Sequence, residues 1–511
     1  MEIQFRFINY FLKKLFMNNK LLEISGKCFP KLTLIALIAV IMLFAPGCKK
    51  FLDVPPIDQV PQSTLFKDEQ GFKDALIGVY LGMDKNRSTY GLYTTDLSMG
   101  MLSTMAYNYD NATVANAGTG GAFYNNVVYY FYLDGEVRKE IDAIWGGLYN
   151  NIANLNNILI QIESKSEVFH RDNYNRVKGE AIALRGLFHF DLLRMFGKSP
   201  LTGSADKAIP YVTQFTIKPT SFVTLQAGLD SCIVDLLAAK ELLAATDTSS
   251  VLKGVDDPFT SYTQNHLNYW AVQALLARVY LYKGDLENAD LYSKAVIGSN
   301  KFPLITSNVA AATNIIRDRT FSQEHLFSVY STKIKDYNSA LYTGTVPLRL
   351  LPAGKNTVYT TGSGNASDYR YISWFDNNQA ALNVPSKFFQ DNNLPFELQG
   401  NVPVIRASEM YYIAAECSNK KNDISSGAAL LNKVRAARGL GALNAAGITN
   451  TDSLSTEIMR EYQKEFIQEG QTFFYYKRLN KDLKLVTGTP AAIPADAYVF
   501  PIPEKEKEYN H

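Results

Sequence analysis

The sequence predicts an all-α dominated body of tetratricopeptide-like helical repeats, interrupted by long irregular insertions that carry a few short strands. Three observations lead there. Residues 174–197 space Val177, Ala181, Leu184, Phe188, Leu192 and Met195 three to four positions apart, as one face of a helix requires. Two later stretches, 266–297 and 406–438, each read as a helical hairpin with small residues where two helices must approach closely. Between such stretches, residues 84–131 and 300–400 lose the helical period and read as surface insertions.

The chain opens with a targeting pattern. Lys27 and Lys31 precede Leu32 to Ala45, a 14-residue stretch that is apolar apart from Thr33. That is short of the roughly 20 residues a membrane span needs. It is followed by Ala45-Pro46-Gly47-Cys48 and then Lys49-Lys50. A basic region, a short apolar region and small residues before a cysteine form a lipoprotein signal, cut before Cys48, whose thiol carries the lipid. Ala45 and Pro46 depart from the Leu usually preferred before such a site. Met17, followed by Asn18-Asn19-Lys20, is a candidate start, because residues 1–31 exceed what export needs. Residues 1–47 are therefore a signal peptide, 48–67 a lipidated tether and 68–511 one helical body.

Composition narrows the function. Removing 47 residues leaves 464 of 511, with 45 basic and 47 acidic side chains, a net charge of about −2. This balance gives no ground for a nucleic-acid partner. Cys232 and Cys417 match no metal spacing and read as buried free thiols. The 31 Tyr and 29 Phe suit a protein with many half-buried amphipathic surfaces.

Taken in order, Pro55, Pro56 and Pro61 keep the leader extended. A helix follows from Asp68 to Met83, with Phe72, Leu76, Val79 and Tyr80 on one face. Trp145, Leu148, Tyr149, Ile152, Leu155 and Leu159 mark the next, before the helix that Gly197 and Pro200 end. In the hairpin 266–297 the turn is Lys283-Gly284-Asp285, flanked by Ala274, Ala277 and Ala289. The hairpin 406–438 pairs Glu409, Tyr412 and Ala415 with Gly427, Leu431 and Val434. Ser328-Val329-Tyr330 reads as a strand. A last helix spans 453–478, and Tyr498 to Pro503 is extended.

Catalytic and metal motifs are missing from the sequence. The five His residues show no ligand spacing, and Gly118-Thr119-Gly120-Gly121 lacks the framing strand and helix of a phosphate loop. Glu461, Glu465 and Glu469 share one helix face, whereas glycosidase carboxylates flank a substrate. With Arg460 they are expected to form a structural network. Glu180, Arg185 and Arg194, and likewise Arg406 and Glu409, are expected to pair across helices. No catalytic residue, metal or cofactor is assigned.

Several stretches resemble the SusD/RagB family of nutrient-binding lipoproteins. They are Cys48-Lys49-Lys50-Phe51-Leu52-Asp53, the run from Ala183 to Gly197, the run from Ile405 to Glu416, Leu431 to Arg435, Arg460 to Gly470, and Phe500-Pro501-Ile502-Pro503. The match runs in order from Cys48 to the C-terminus. It departs near Phe473 and Phe474, where many members carry Trp. The resemblance implies four tetratricopeptide-like helix pairs, an outer-membrane location facing outward, and no catalysis. It also implies a role as lid on a SusC-like TonB-dependent transporter, to which glycans, or in some members peptides, are handed. In the family the insertions carry the ligand site. Here two aromatic stretches offer rings for sugar faces and polar groups for hydroxyls: Tyr107, Asn108, Tyr109 and Asp110, and Tyr369, Arg370, Tyr371 and Trp374. Rival readings are peptide or glycopeptide capture, a purely structural lid, and a lipid-anchored hydrolase, which the missing motifs disfavour.

Overall fold

The computed structural model describes residues 62–85, 91–110, 121–246, 258–343, 347–360, 367–375, 384–483, 494 and 496–509. Cys48, the signal segment, most of the tether and Gly118 to Gly120 lie outside them. One compact unit spans Gln62–His511. Among the described residues no helix is long and apolar enough to cross a membrane.

Eight helices follow one another through space as they do along the chain: α1 Glu69–Met83, α2 Gly135–Ile162, α3 Asn173–Phe196, α4 Leu225–Ala244, α5 Tyr269–Lys283, α6 Leu286–Gly298, α7 Ala407–Lys420 and α8 Ile424–Ala437. Each packs on the next, giving four successive pairs. Local chemistry sets where they begin. Asp68 accepts from the Gly71 amide at 3.1 Å to start α1, Asp134 from Glu136 and Val137 to start α2, and Asn268 from Trp270 and Ala271 to start α5. Asp285 and Asp423 cap α6 and α8 in the same way.

α3 and α5 lie at the centre of this stack. From Glu180 to Phe196 nearly every α3 residue is buried, and so is every α5 residue from Ala271 to Tyr282. A helix buried on all sides has no polar face to show, and α3 accordingly buries Glu180, His189, Asp191 and Arg194 along with its apolar residues. Cys232 on α4 and Cys417 on α7 are buried free thiols, and burial pushes the Cys417 thiol up to about 12.

Among the described residues, two antiparallel two-stranded ribbons complete the frame. β1 Lys207–Pro210 pairs with β2 Phe222–Thr224. β3 His325–Tyr330 pairs with β4 Asn401–Arg406, with Tyr330 opposite Asn401 and His325 opposite Arg406. β4 runs straight into α7, so this ribbon ties the 300–400 insertion to the helical stack.

Three expectations need correction. The helix expected over 453–478 is two helices, α9 Thr451–Glu465 and α10 Gln471–Arg478. Gly470 divides them at φ +70°, and a Cβ there would lie 2.2 Å from the Leu97 carbonyl oxygen. The insertion 84–131 is not a solvated loop in its described part. Leu92–Met99 is a buried π-helical stretch and Met101–Met105 a buried short helix. In the 300–400 insertion, short helices Ser307–Ala311, Ile334–Tyr342, Pro352–Tyr359 and Tyr369–Ser373 flank β3 along the chain, and several of their aromatic residues join the core. Helix α4 and the β1–β2 ribbon have no counterpart in the sequence-based reading.

Candidate ligand-binding cleft

Six of the eight residues put forward from the sequence are buried in this structure. Tyr107, Asn108, Tyr109 and Asp110 are buried. The Tyr109 hydroxyl donates to the Met99 carbonyl and meets the Tyr342 hydroxyl at 2.6 Å. Asp110 accepts from the Leu351 amide, and burial raises its carboxyl above the usual range. Tyr107 packs edge-on against Tyr130. Arg370 and Trp374 are fully buried as well. Trp374 donates its indole N–H to the Arg319 carbonyl at 2.7 Å, and the Lys387 ammonium stands 3.8 Å above its ring. Tyr369 and Tyr371 alone of the eight are half-buried. The physical reason is that rings spaced for stacking on a ligand are also spaced for filling a core.

Arg370 belongs to a buried ionic network. It donates to both oxygens of Asp368, to Glu461 at 2.7 Å and to Glu465 at 3.0 Å. Glu465 also takes Arg406 at 2.5 Å and Arg438 at 2.6 Å, while Arg438 holds Glu324 through two bonds. Arg435 and Lys464 pair with Glu461, and Arg406 and Lys387 with Glu469. Burial alone would raise the Glu461 carboxyl, but Arg370, Lys464 and Arg435 bring it down to about 2. Burial lowers Lys387 to about 7 against the pull of Glu469. Glu461, Glu465 and Glu469 form the structural network expected of them, each carboxylate being buried and paired with cations. Two of the expected cross-helix pairs are present, with partners the sequence does not name, Arg185 with Asp235 and Glu409 with Arg278, whereas Arg194 pairs with Asp191 on its own helix and reaches across to the Gln471 side chain of α10. Arg460, expected in the network, instead pairs with Glu457 near the surface.

A cleft of about 350 Å³ lies where the 261–266 segment, the end of β3 and the 396–401 segment meet. That size falls within the usual range for small-ligand sites. Three rings border it. Phe396 is 64% exposed, Tyr330 40%, and Tyr262 is half-buried with its ring edge-on to Phe396 at 6.3 Å. Amides fill the spaces between: Gln264, Asn265, Gln399 and Asn401, with Glu397 at the rim.

The backbone explains why these rings stay open. Tyr262 is left-handed, at φ 51° and ψ 53°, a conformation costly for an aromatic residue. It starts the single 3-10 turn Thr263–Asn265. Asn265 fastens that turn to the ribbon by donating to Ser328 and, at 2.8 Å, to the Asn401 side-chain oxygen. Asn401 in turn donates to the Glu397 and Gln399 carbonyls, which fixes the loop bearing Phe396. Behind the cleft, His266 bonds Glu180 at 2.9 Å and Tyr80 donates to the same oxygen at 2.6 Å. Burial would raise Glu180, but His266 and Arg176 hold its carboxyl below the usual value, so His266 Nδ1 is the donor.

Among the described residues, two groups here carry unsatisfied atoms, one oxygen of Glu180 behind the cleft and the whole amide of Gln264. Gln264 is 2% exposed, and among the described residues neither its amide nitrogen nor its amide oxygen has a hydrogen-bond partner. A buried amide with neither atom bonded is rare, because each lost bond costs about 1–3 kcal/mol.

A wider cleft of about 790 Å³ lies between residues 130–134, β1, β2 and residues 496–502. Some of its polar groups are engaged, the Tyr132 hydroxyl donating to the Ala497 carbonyl and Lys198 pairing with Asp206, while Lys207 and Asp496 are exposed at its edge. It lacks the unpaired buried amide that distinguishes the smaller cleft.

Sequence reasoning missed Tyr262, Gln264, Tyr330 and Phe396 as site residues. They belong to three segments, brought together by the β3–β4 pairing and by the bonds of Asn265 to it, neither of which has a local signature. The available signal is weak: the polar run Ser261 to Asn268, bracketed by aromatic residues and placed just before a strongly apolar helix.

Comparison with known proteins agrees with this architecture. Residues 50–281 match a family profile described as starch-binding associating with outer membrane, and residues 322–510 match the SusD family profile. The SusD-like protein P38 of Formosa agariphila is 23% identical, over 93% of this chain and 96% of its own. Among solved structures, a SusD-like carbohydrate binding protein from Bacteroides vulgatus superposes with a TM-score of 0.67 at 16% identity, over 87% of this chain and 96% of its own. A laminarin binding SusD-like protein gives 0.62 at 17% identity, over 87% and 98%. Matching profiles at both ends, the helix-pair stack between them and these shared folds lead to one statement: the chain belongs to the SusD/RagB family.

Proposed function

We propose that this chain is a lipid-anchored, non-catalytic glycan-binding protein of the outer membrane, which captures oligo- or polysaccharide and passes it to a SusC-like TonB-dependent transporter. Cys48 carries the anchor, and the body faces outward. The ligand contacts belong to the cleft of Tyr262, Tyr330 and Phe396 rather than to the aromatic stretches singled out in the sequence. Sugar rings present flat C–H faces, which stack on exposed aromatic rings, while their hydroxyls bond to amides and carboxylates. Asn265, Gln264, Gln399 and Glu397 stand between the three rings for that purpose. The observation that carries the reading is this combination of open rings and an unpaired buried amide in one cleft. The family profile's description and the laminarin binding of one relative with the same fold support a glycan over a peptide. The buried ionic network supports the absence of catalysis, since its carboxylates are all committed to cations.

Affinity electrophoresis of the chain from Lys49 tests this. Native gels containing laminarin or soluble starch should retard the wild type, and the double variant Tyr330→Ala/Phe396→Ala should migrate freely. Equal retardation of both proteins would remove the cleft from consideration.

A further inference from the structure

We infer that Gln264 is the specificity-determining residue of the cleft, and that it reads the ligand through a side-by-side donor and acceptor, as adjacent hydroxyls of a neutral sugar present them. The inference rests on the glycan-binding reading above. It goes further by assigning the polar recognition to one group and the ligand to the neutral class.

The argument starts from cost. A side chain this deeply buried normally has its polar atoms bonded. Gln264 has neither atom bonded, although its neighbours Asn265, Gln399 and Asn401 each donate to the fold. The segment is not loosely placed. The Gln264 carbonyl accepts from Ser328 Oγ at 3.2 Å, and Asn265 pins the next position to both strands of the ribbon. Gln264 is thus a lining residue of the cleft on a firmly held segment, and its amide, covered in this structure, needs only a side-chain turn to meet a ligand. An amide offers one donor face and one acceptor face a short distance apart. Two adjacent hydroxyls satisfy both, since each hydroxyl can give or take a proton.

Charge points the same way. Among the described residues lining the cleft there is no Lys or Arg, and the exposed carboxylate is Glu397. A uronate or sulfate placed here would lose water without gaining a cation, and would stand near a like charge. A neutral glycan meets neither penalty.

Gln264→Met separates this from a structural role. It keeps length and volume and removes both polar atoms. An amide already paired in the fold would be missed, whereas an unpaired one is replaced at no loss or with a gain. The test is isothermal titration of the mature chain with laminarin, soluble starch, polygalacturonate and a casein peptide digest, for wild type, Gln264→Met and Phe396→Ala, with thermal melts of each. We expect a neutral glycan to bind. Gln264→Met should weaken it at least about tenfold while the melting temperature stays level or rises. Polygalacturonate should bind at least about tenfold more weakly than the neutral ligand. Several results would overturn the inference while leaving the cleft in place. These are a lower melting temperature for Gln264→Met, wild-type affinity in that variant while Phe396→Ala is impaired, or preference for polygalacturonate. Binding of peptides alone, of no ligand, or of glycan unaffected by Phe396→Ala would instead bring down the reading on which it rests.

Discussion

The ring of Tyr330 lies against the backbone of Gly400: a Cβ added to Gly400 would sit 2.6 Å from Tyr330 Cε2. Gly400 adopts φ +74°, and its carbonyl accepts from the Ser331 amide at 2.8 Å. A side chain there is strained by conformation and by contact, so the ring must move. Gly400→Ala should cost about 1–3 kcal/mol of stability. It should also weaken glycan binding, because Tyr330 is displaced from the cleft wall. Urea denaturation and a glycan titration of the same variant check both parts.

Trp374 separates packing from recognition. It fills the interior, bonds Arg319 and lies beneath Lys387. Trp374→Ala should destabilise the chain by about 3–5 kcal/mol. At a temperature where the variant stays folded, its glycan affinity should match the wild type. A selective loss of binding at unchanged stability would restore Trp374 to the ligand site.

Arg438 joins Glu324 to Glu465 at the centre of the buried network. Removing one side of a buried pair leaves charge without compensation. Arg438→Met should therefore lower stability by about 3–5 kcal/mol, seen as a lower urea midpoint with an unchanged slope.

Acid should attack the same network. The folded-state Glu461 carboxyl is lowered to about 2 from 4.5. A lowered carboxyl contributes stability above its unfolded value and loses it as pH falls through its folded value. The contribution is roughly 3 kcal/mol at neutral pH and fades between about pH 4.5 and 2. Urea midpoints measured across that window should fall for the wild type, and fall less for Glu461→Gln, which starts lower.

The helical frame was legible because its signals are local. Asp68, Asn268 and Asp285 announce helix starts, and the apolar spacing of α3 needs no partner to be read. α4 was harder, since Leu225 to Ala244 carries Leu and Ala on most faces and follows a ribbon with no marked alternation. The break at Gly470 was hidden because the sequence on both sides keeps helical spacing. What interrupts it is the approach of Leu97, far away in the chain. The binding cleft was the least legible part. Aromatic stretches around Tyr109 and Trp374 look like ligand platforms, but only tertiary packing decides that they turn inward. Phe396, a single ring in a polar loop, is left exposed.

The central claim is that a glycan occupies the cleft between Tyr262, Tyr330 and Phe396. A crystal structure of the chain from Lys49 soaked with laminarin oligosaccharides measures this most directly. The account expects sugar rings stacked on Phe396 and Tyr330, with a hydroxyl pair bonded to the Gln264 amide. Oligosaccharide found instead between residues 130–134 and 496–502, with the Gln264 cleft empty, would contradict it.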